Sequence, residues 1–238
     1  MKPSAMIVIA LLIAGFALVP VEVWADAEDD PLLVKLMLDQ LERRGSGDDR
    51  VDSWDAEAWV GKDLHKLWFK SQGERMSGRT ENAELQLLYS KAMATYWDFQ
   101  TGVRHDFEPS PSRTWLAVGF NGLAPYFFKI DTAFFVGESG RTAFRAEAEY
   151  DLLLTQRLVV TPEIEANFFG KNDPDIGIGS GLSDIEAGLR LRYEIRREFA
   201  PYIGIHWSRQ YGRTADFSRA AGESTSDTQI AVGLRAWF

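Results

Sequence analysis

Three neighbouring segments carry charge on alternate residues only, and few folds tolerate that. In R-A-E-A-E-Y-D-L, Arg145, Glu147, Glu149 and Asp151 alternate with Ala146, Ala148, Tyr150 and Leu152. Further on, Glu163, Glu165 and Asn167 alternate with Ile164, Ala166 and Phe168. In the third segment, Asp184, Glu186, Arg190, Arg192 and Glu194 alternate with Ile185, Ala187, Leu189, Leu191, Tyr193 and Ile195. Side chains of an extended strand point to opposite faces every second residue, so each segment is a strand with one ionic and one apolar face.

The same period extends along most of the chain and predicts ten strands, over 64–74, 82–90, 96–107, 113–121, 126–136, 141–153, 157–169, 183–195, 202–211 and 227–238. The connections at 91–95, 122–125, 155–156 and 196–200 are tight, whereas 170–182 and 212–226 are long, Gly/Asp/Ser-rich and expected to be mobile loops. The last strand places Ile230, Val232, Leu234, Ala236 and Phe238 on one face and ends on an aromatic residue, similar to the closing strand of bacterial outer-membrane barrels. Alternation alone fits a soluble sandwich equally well, with its charges in water. The strand lengths, close to the 9–11 residues of a tilted span, favour a membrane barrel. So do aromatics near the strand ends: Tyr126, Tyr150, Tyr193, Tyr202 and Trp237 at one rim, Phe134, Phe168 and Trp207 at the other. Counting back from the last strand puts both ends of the barrel in the periplasm.

The opening residues agree. Lys2, an apolar run from Ala5 to Val19 and small residues near Ala25 read as a secretory signal peptide over 1–25. A membrane anchor would need about 20 apolar residues, and no later run is long and apolar enough for a spanning helix. Residues 26–58 are expected as a periplasmic segment, with an amphipathic helix near 31–44 because Leu33, Leu36, Met37 and Leu41 fall near helical spacing after Pro31. The barrel itself is assigned to 59–238. The predicted fold is therefore all-β, a transmembrane antiparallel barrel of about ten strands with a short N-terminal helix.

A net charge of -9 argues against a nucleic-acid partner and suits one that attracts cations. With no Cys, any metal must be held by oxygen, imidazole or thioether. Arg or Lys facing the lipid midplane costs about 2–4 kcal/mol, so the ionic rows must line the lumen. The inward set is Lys129, Arg145, Arg157, Arg190, Arg192 and Arg235 against Asp131, Glu147, Glu149, Asp151, Glu163, Glu165, Asp184 and Glu186. An ion-pair network filling much of the lumen is expected.

The runs W-V-G-K-D-L-H-K-L-W, G-V-R-H-D-F-E-P, G-L-A-P-Y-F-F, F-R-A-E-A-E-Y-D-L-L-L-T-Q-R-L, G-I-G-S-G-L-S-D-I-E-A-G-L-R-L-R-Y-E-I-R-R-E-F-A-P-Y-I-G and T-A-D-F-S-R-A-A-G-E closely resemble the copper resistance protein B family, from about residue 31 to 238. The resemblance implies an outer-membrane barrel of the Gram-negative envelope, copper as its ion, outer-membrane lipid as its surroundings and a periplasmic copper protein as a possible partner. Many relatives carry a Met/His-rich segment before the barrel, whereas the corresponding stretch here holds Met37 and no histidine.

Copper takes imidazole and thioether, with carboxylates as weaker ligands. The histidines after the leader are His65, His105 and His206, and the methionines Met37, Met76 and Met93. His206 falls in the lumen phase beside the rows of Glu165 and Glu186, which makes these three the leading candidates; His65 and His105 fall in the outward phase near strand ends. The plain alternative for His206 is membership of a hydrogen-bond network. An outer-membrane enzyme, of protease or lipid-modifying type, is a second reading, with His105 beside Asp106 as its one hint and no G-x-S-x-G elbow to support it. A third is a structural barrel docking a periplasmic partner through its helix.

Overall fold

The computed structural model describes residues 31–46 and 49–238. The expected signal peptide over 1–25 lies outside the described residues. The chain forms β1 (Leu33–Ser46), β2 (Asp49–Gly61), β3 (His65–Met76), β4 (Arg79–Ala94), β5 (Trp97–Glu108) and β6 (Arg113–Ala124). It continues with β7 (Phe128–Gly137), β8 (Thr142–Glu149), β9 (Leu152–Leu153), β10 (Leu158–Phe169), β11 (Gly181–Tyr193), β12 (Phe199–Gln210), a helix α1 (Gly212–Ala221) and β13 (Ser226–Trp237). Among the described residues, no helix is long and apolar enough to cross a membrane.

The thirteen strands form one sheet, in which β9 is a two-residue piece and the other twelve close a barrel. Successive strands pair antiparallel, and β13 returns to β1 in the register Met37↔Trp237 to Gly45↔Ile230. Closure removes both sheet edges, whose unpaired backbone groups would cost several kcal/mol each in lipid. The outward face is apolar and the inward face ionic: Ile230 and Leu116 are 68% and 64% exposed, while Glu42 and Arg190 are 3% and 6% exposed. That inversion of a soluble protein's pattern is what a lipid-facing wall requires.

The ten expected strands all recur, with the sixth interrupted between β8 and β9, but the barrel has twelve because it begins at Leu33 rather than residue 59. The expected helix near 31–44 is strand β1. A bulge between Leu38 and Leu41 shifts the phase of β1 by one residue. Lys35, Met37 and Asp39 face inward before it, and Gln40, Glu42 and Arg44 after it. Apolar residues therefore fall three apart across the bulge and imitate a helical period. Beyond the bulge, Gly45↔Arg50 and Ser46↔Asp49 continue the β1–β2 pairing.

Two further expectations are corrected. Arg157 does not line the lumen: it is exposed in the turn before β10. Tyr202 is not a rim anchor but a buried lumen residue. The connection expected to be mobile at 212–226 carries α1, closed by Gly222 in the left-handed region (φ 79°). Thr214, Ala215 and Ser218 are buried, and the Thr214 hydroxyl accepts from the Gly179 backbone N–H at 2.9 Å, tying the helix to the β10–β11 loop. These longer connections lie at the end opposite the start of β1, the end that faces outward in barrels of this kind.

Candidate functional site

Inward side chains from all twelve strands meet in the lumen, and they sort into three regions. Toward β1, β11 and β12, buried carboxylates and guanidiniums pair closely. Arg190 donates to Glu42 at 3.1 and 3.2 Å, to Glu163 at 2.6 Å and to the Gln40 carbonyl at 2.9 Å. Glu42 also accepts from Arg44 and, at 2.9 Å, from the Tyr202 hydroxyl. Arg44 reaches Glu74 at 2.7 Å. Across the barrel, Arg145 grips Glu84 bidentately at 3.0 and 2.9 Å, and Arg104 bridges Glu84 and Asp106 at 2.7 and 2.6 Å. Charge-assisted and forked bonds of this kind are the strong ones, and they tie together strands that are not neighbours in the sheet.

The second region is apolar. Leu88, Trp115, Ala117, Phe135 and Ala143 pack inside the wall, with the Arg104 guanidinium 4.8 Å from the Phe135 ring centroid. This fills part of the lumen with side chains, as expected for a barrel between the roughly eight strands that are just filled and the 16 or more that leave a channel.

The third region is a cavity of about 340 Å³, lined among others by Met37, Asp39, Asp55, Glu57, Glu147 and Gln100. Most of its cations are already engaged with carboxylates, whereas Lys35 lies 6.0 Å from the Trp237 ring centroid. Lys70 lies 2.5 Å from Asp131 and 3.4 Å from Glu57, Arg235 is 2.7 Å from Asp39, and Lys129 is 2.5 Å from Glu149 and 3.0 Å from Asp151. Asp55 accepts only from the Gln72 amide at 2.8 Å, and Glu147 has no hydrogen bond or ion pair among the described residues. The Gln100 amide nitrogen is buried without a partner on the same wall. Carboxylates crowded without a countercharge repel each other, and a cation between them relieves that repulsion. Met37, Asp39, Asp55 and Glu57 were missed as lumen groups because the sequence spacing placed the first hairpin outside the barrel. The alternation of Asp55 and Glu57 with Trp54, Ala56 and Ala58 was the signal that could have found the last two.

Of the expected ligands, His206 is buried in the lumen, with its Nε2 3.2 Å from Arg44 Nη1 and 3.5 Å from Glu186 Oε2. Its ring nitrogen therefore accepts from a guanidinium. Glu165 faces Glu186 across the β10–β11 pair and lies 3.4 Å from Arg145. His65 and His105 are on the outward face, against the Tyr89 and Thr114 hydroxyls respectively. His105 and Asp106, adjacent in sequence, point to opposite sides of the wall: Asp106 accepts from Arg104 and the Trp115 indole inside. Among the described residues, no three His, Asp or Glu side chains converge as a metal cage. The network residues Glu149, Asp151, Glu163, Arg190, Arg192 and Arg235 all form ion pairs, and Asp184 accepts from Asn167 at 2.9 Å.

At the outer end, Asp173 in the β10–β11 loop sits between two guanidiniums, Arg113 at 3.0 Å and Arg141 at 2.8 Å. Burial raises the carboxyl's pKa, but the hydrogen bonds and charge of Arg113 and then Arg141 more than reverse this and hold it below the usual 3.8.

A family model described as copper resistance protein B precursor matches residues 32–238. Copper resistance protein B of Escherichia coli is 47% identical over 210 residues, 88% of this chain and 71% of that protein. The copper resistance protein B homolog of Pseudomonas syringae pv. tomato is 47% identical over 200 residues, 84% of this chain and 68% of its own length. Among solved structures, the NanC porin superposes with a TM-score of 0.56 at 12% identity, covering 86% of this chain and 99% of the porin. At that identity the likeness shows the fold alone.

Proposed function

The chain belongs to the copper resistance protein B family, and from that premise we propose that this outer-membrane barrel serves copper resistance by holding copper ions, in slow transit, at the uncompensated carboxylates of its lumen. The observation that carries the reading is the pair Asp55 and Glu147, which line one cavity and lack a cationic partner. Uncompensated carboxylates between low-dielectric walls concentrate cations. Met37 brings a thioether to the same cavity, the ligand type that suits Cu(I), and carboxylates accept Cu(II). His206 with Glu186, and Glu165 beside them, form a second contact nearer the outer end. His65 and His105 belong to the outward wall and have no part in this path. No covalent step is involved.

Copper titration of the purified barrel in detergent tests this, alongside copper tolerance of a deletion strain complemented with D55N/E147Q. Copper bound by the wild type and lost from the variant supports the reading. A wild-type protein that binds no copper, or a variant that restores full tolerance, overturns it.

A further inference from the structure

The outward wall is apolar over most of its height, which makes its few cations conspicuous. On the β1–β3 face, Arg43, Asp52 and Arg75 lie directly opposite one another across three strands, and Arg50 stands one dyad farther toward the outer end. Neighbouring strands are about 4.8 Å apart, so Arg43 and Arg75 sit roughly 10 Å from each other. Arg43 is paired with Asp52 at 2.7 Å. Arg50 and Arg75 have neither an ion pair nor a side-chain hydrogen bond among the described residues.

Depth is fixed by the aromatic residue beneath them. Trp54, two residues inward of Asp52 on the same face, donates to the Ser71 hydroxyl at 3.2 Å and lies across Gly73, where a Cβ would come within 2.3 Å of the indole. Such a ring on the lipid face marks the interface. The arrangement recurs on β12, where Arg209 follows Trp207 by two residues toward the outer end, its guanidinium 5.5 Å from the Tyr211 ring centroid. On the far side of the barrel, the outer ends of β7, β8 and β10 present Val136, Phe144 and Phe168 instead. Guanidiniums beyond the girdle are tolerated far better than at the midplane, and their planar forks match phosphate oxygens bidentately.

We infer that this face is a binding site for the phosphorylated headgroups of outer-leaflet lipid, with Arg50 and Arg75 as the principal contacts and Arg43 and Arg209 at its flanks. The site rests on the outer-membrane assignment and not on the copper reading.

Native mass spectrometry of the full chain in neutral detergent, titrated separately with diphosphorylated lipid A, its monophosphoryl form and phosphatidylcholine, tests the inference. The wild type is expected to retain the diphosphorylated lipid best, and R50A/R75A to lose about tenfold in affinity, equivalent to about 1.4 kcal/mol. R50K/R75K should keep part of it, since lysine offers charge without the fork. R213A, on the exposed start of α1, should bind as wild type. Equal retention by R50A/R75A, equal retention of all three lipids by the wild type, or an equal loss in R213A overturns the site. Should R50A/R75A not fold, the wild type decides: retention unchanged between low salt and about 1 M salt also overturns it, because contacts between exposed charges are screened there.

Discussion

The two polar regions of the lumen use the same side chains for different ends. Beside β11 and β12, Glu42 is held by Arg190, Arg44 and Tyr202, and its contacts tie β1 past β13 to β11 and β12. In the cavity, Asp55 has one amide donor and Glu147 none. A buried carboxylate ringed by guanidiniums is spent on holding the barrel together, whereas one left without a countercharge is available to an incoming cation. Counting lumen charges would treat the two alike; partner geometry separates them.

The largest effect should come from breaking the paired region. Glu42→Ala leaves Arg44 and Arg190 buried without their shared acceptor and should cost about 3–5 kcal/mol, read as a lower urea midpoint for the detergent-refolded barrel. Asp55→Asn in the same assay should cost under about 1 kcal/mol, since it removes no ion pair. Equal losses would erase the distinction. Copper titration should invert the order: D55N/E147Q is expected to weaken binding by about tenfold or more, or about 1.4 kcal/mol, in a barrel that still folds.

His206→Ala sharpens the boundary between the regions. Because its Nε2 already accepts from Arg44, its loss should lower copper tolerance less than D55N/E147Q does; a larger drop would move the principal site to His206 and Glu186. The smallest effect belongs to the outer clasp. The pKa of Asp173 is depressed in the folded protein, so its contribution is complete above its unfolded value near 3.8 and is lost as pH falls through the lower folded value. Protease cleavage within 170–180 should rise in that acid window, while Asp173→Asn should be cleaved at a rate nearly independent of pH there.

Legibility followed the regularity of the strands. Ten strands were readable because an uninterrupted dyad period has one structural meaning, and the lumen phase of His206, Glu186 and Arg190 came with it. The first hairpin was not, because the bulge at Leu38–Leu41 breaks the period where the apolar residues also fit a helix. Tyr202 was misplaced because an aromatic at a strand end suits a rim, although its even spacing from His206 already put it in the lumen phase, where it donates to Glu42. Asp55 and Glu57 could not be recognised as cavity groups while their strand was assigned to the periplasm.

Alternation by itself determined that this protein is built of strands with one ionic and one apolar face, since side-chain direction in a strand is a local property of the backbone, and strand length with the aromatic strand ends turned the ionic face toward a lumen. Which charges neutralise which was decided only by the tertiary structure. Strand number, shear and the β1 bulge set which distant rows meet across the lumen, and no local pattern encodes those distances. They leave Asp55 and Glu147 facing a cavity while Glu42, equally acidic in the sequence, is enclosed by arginine.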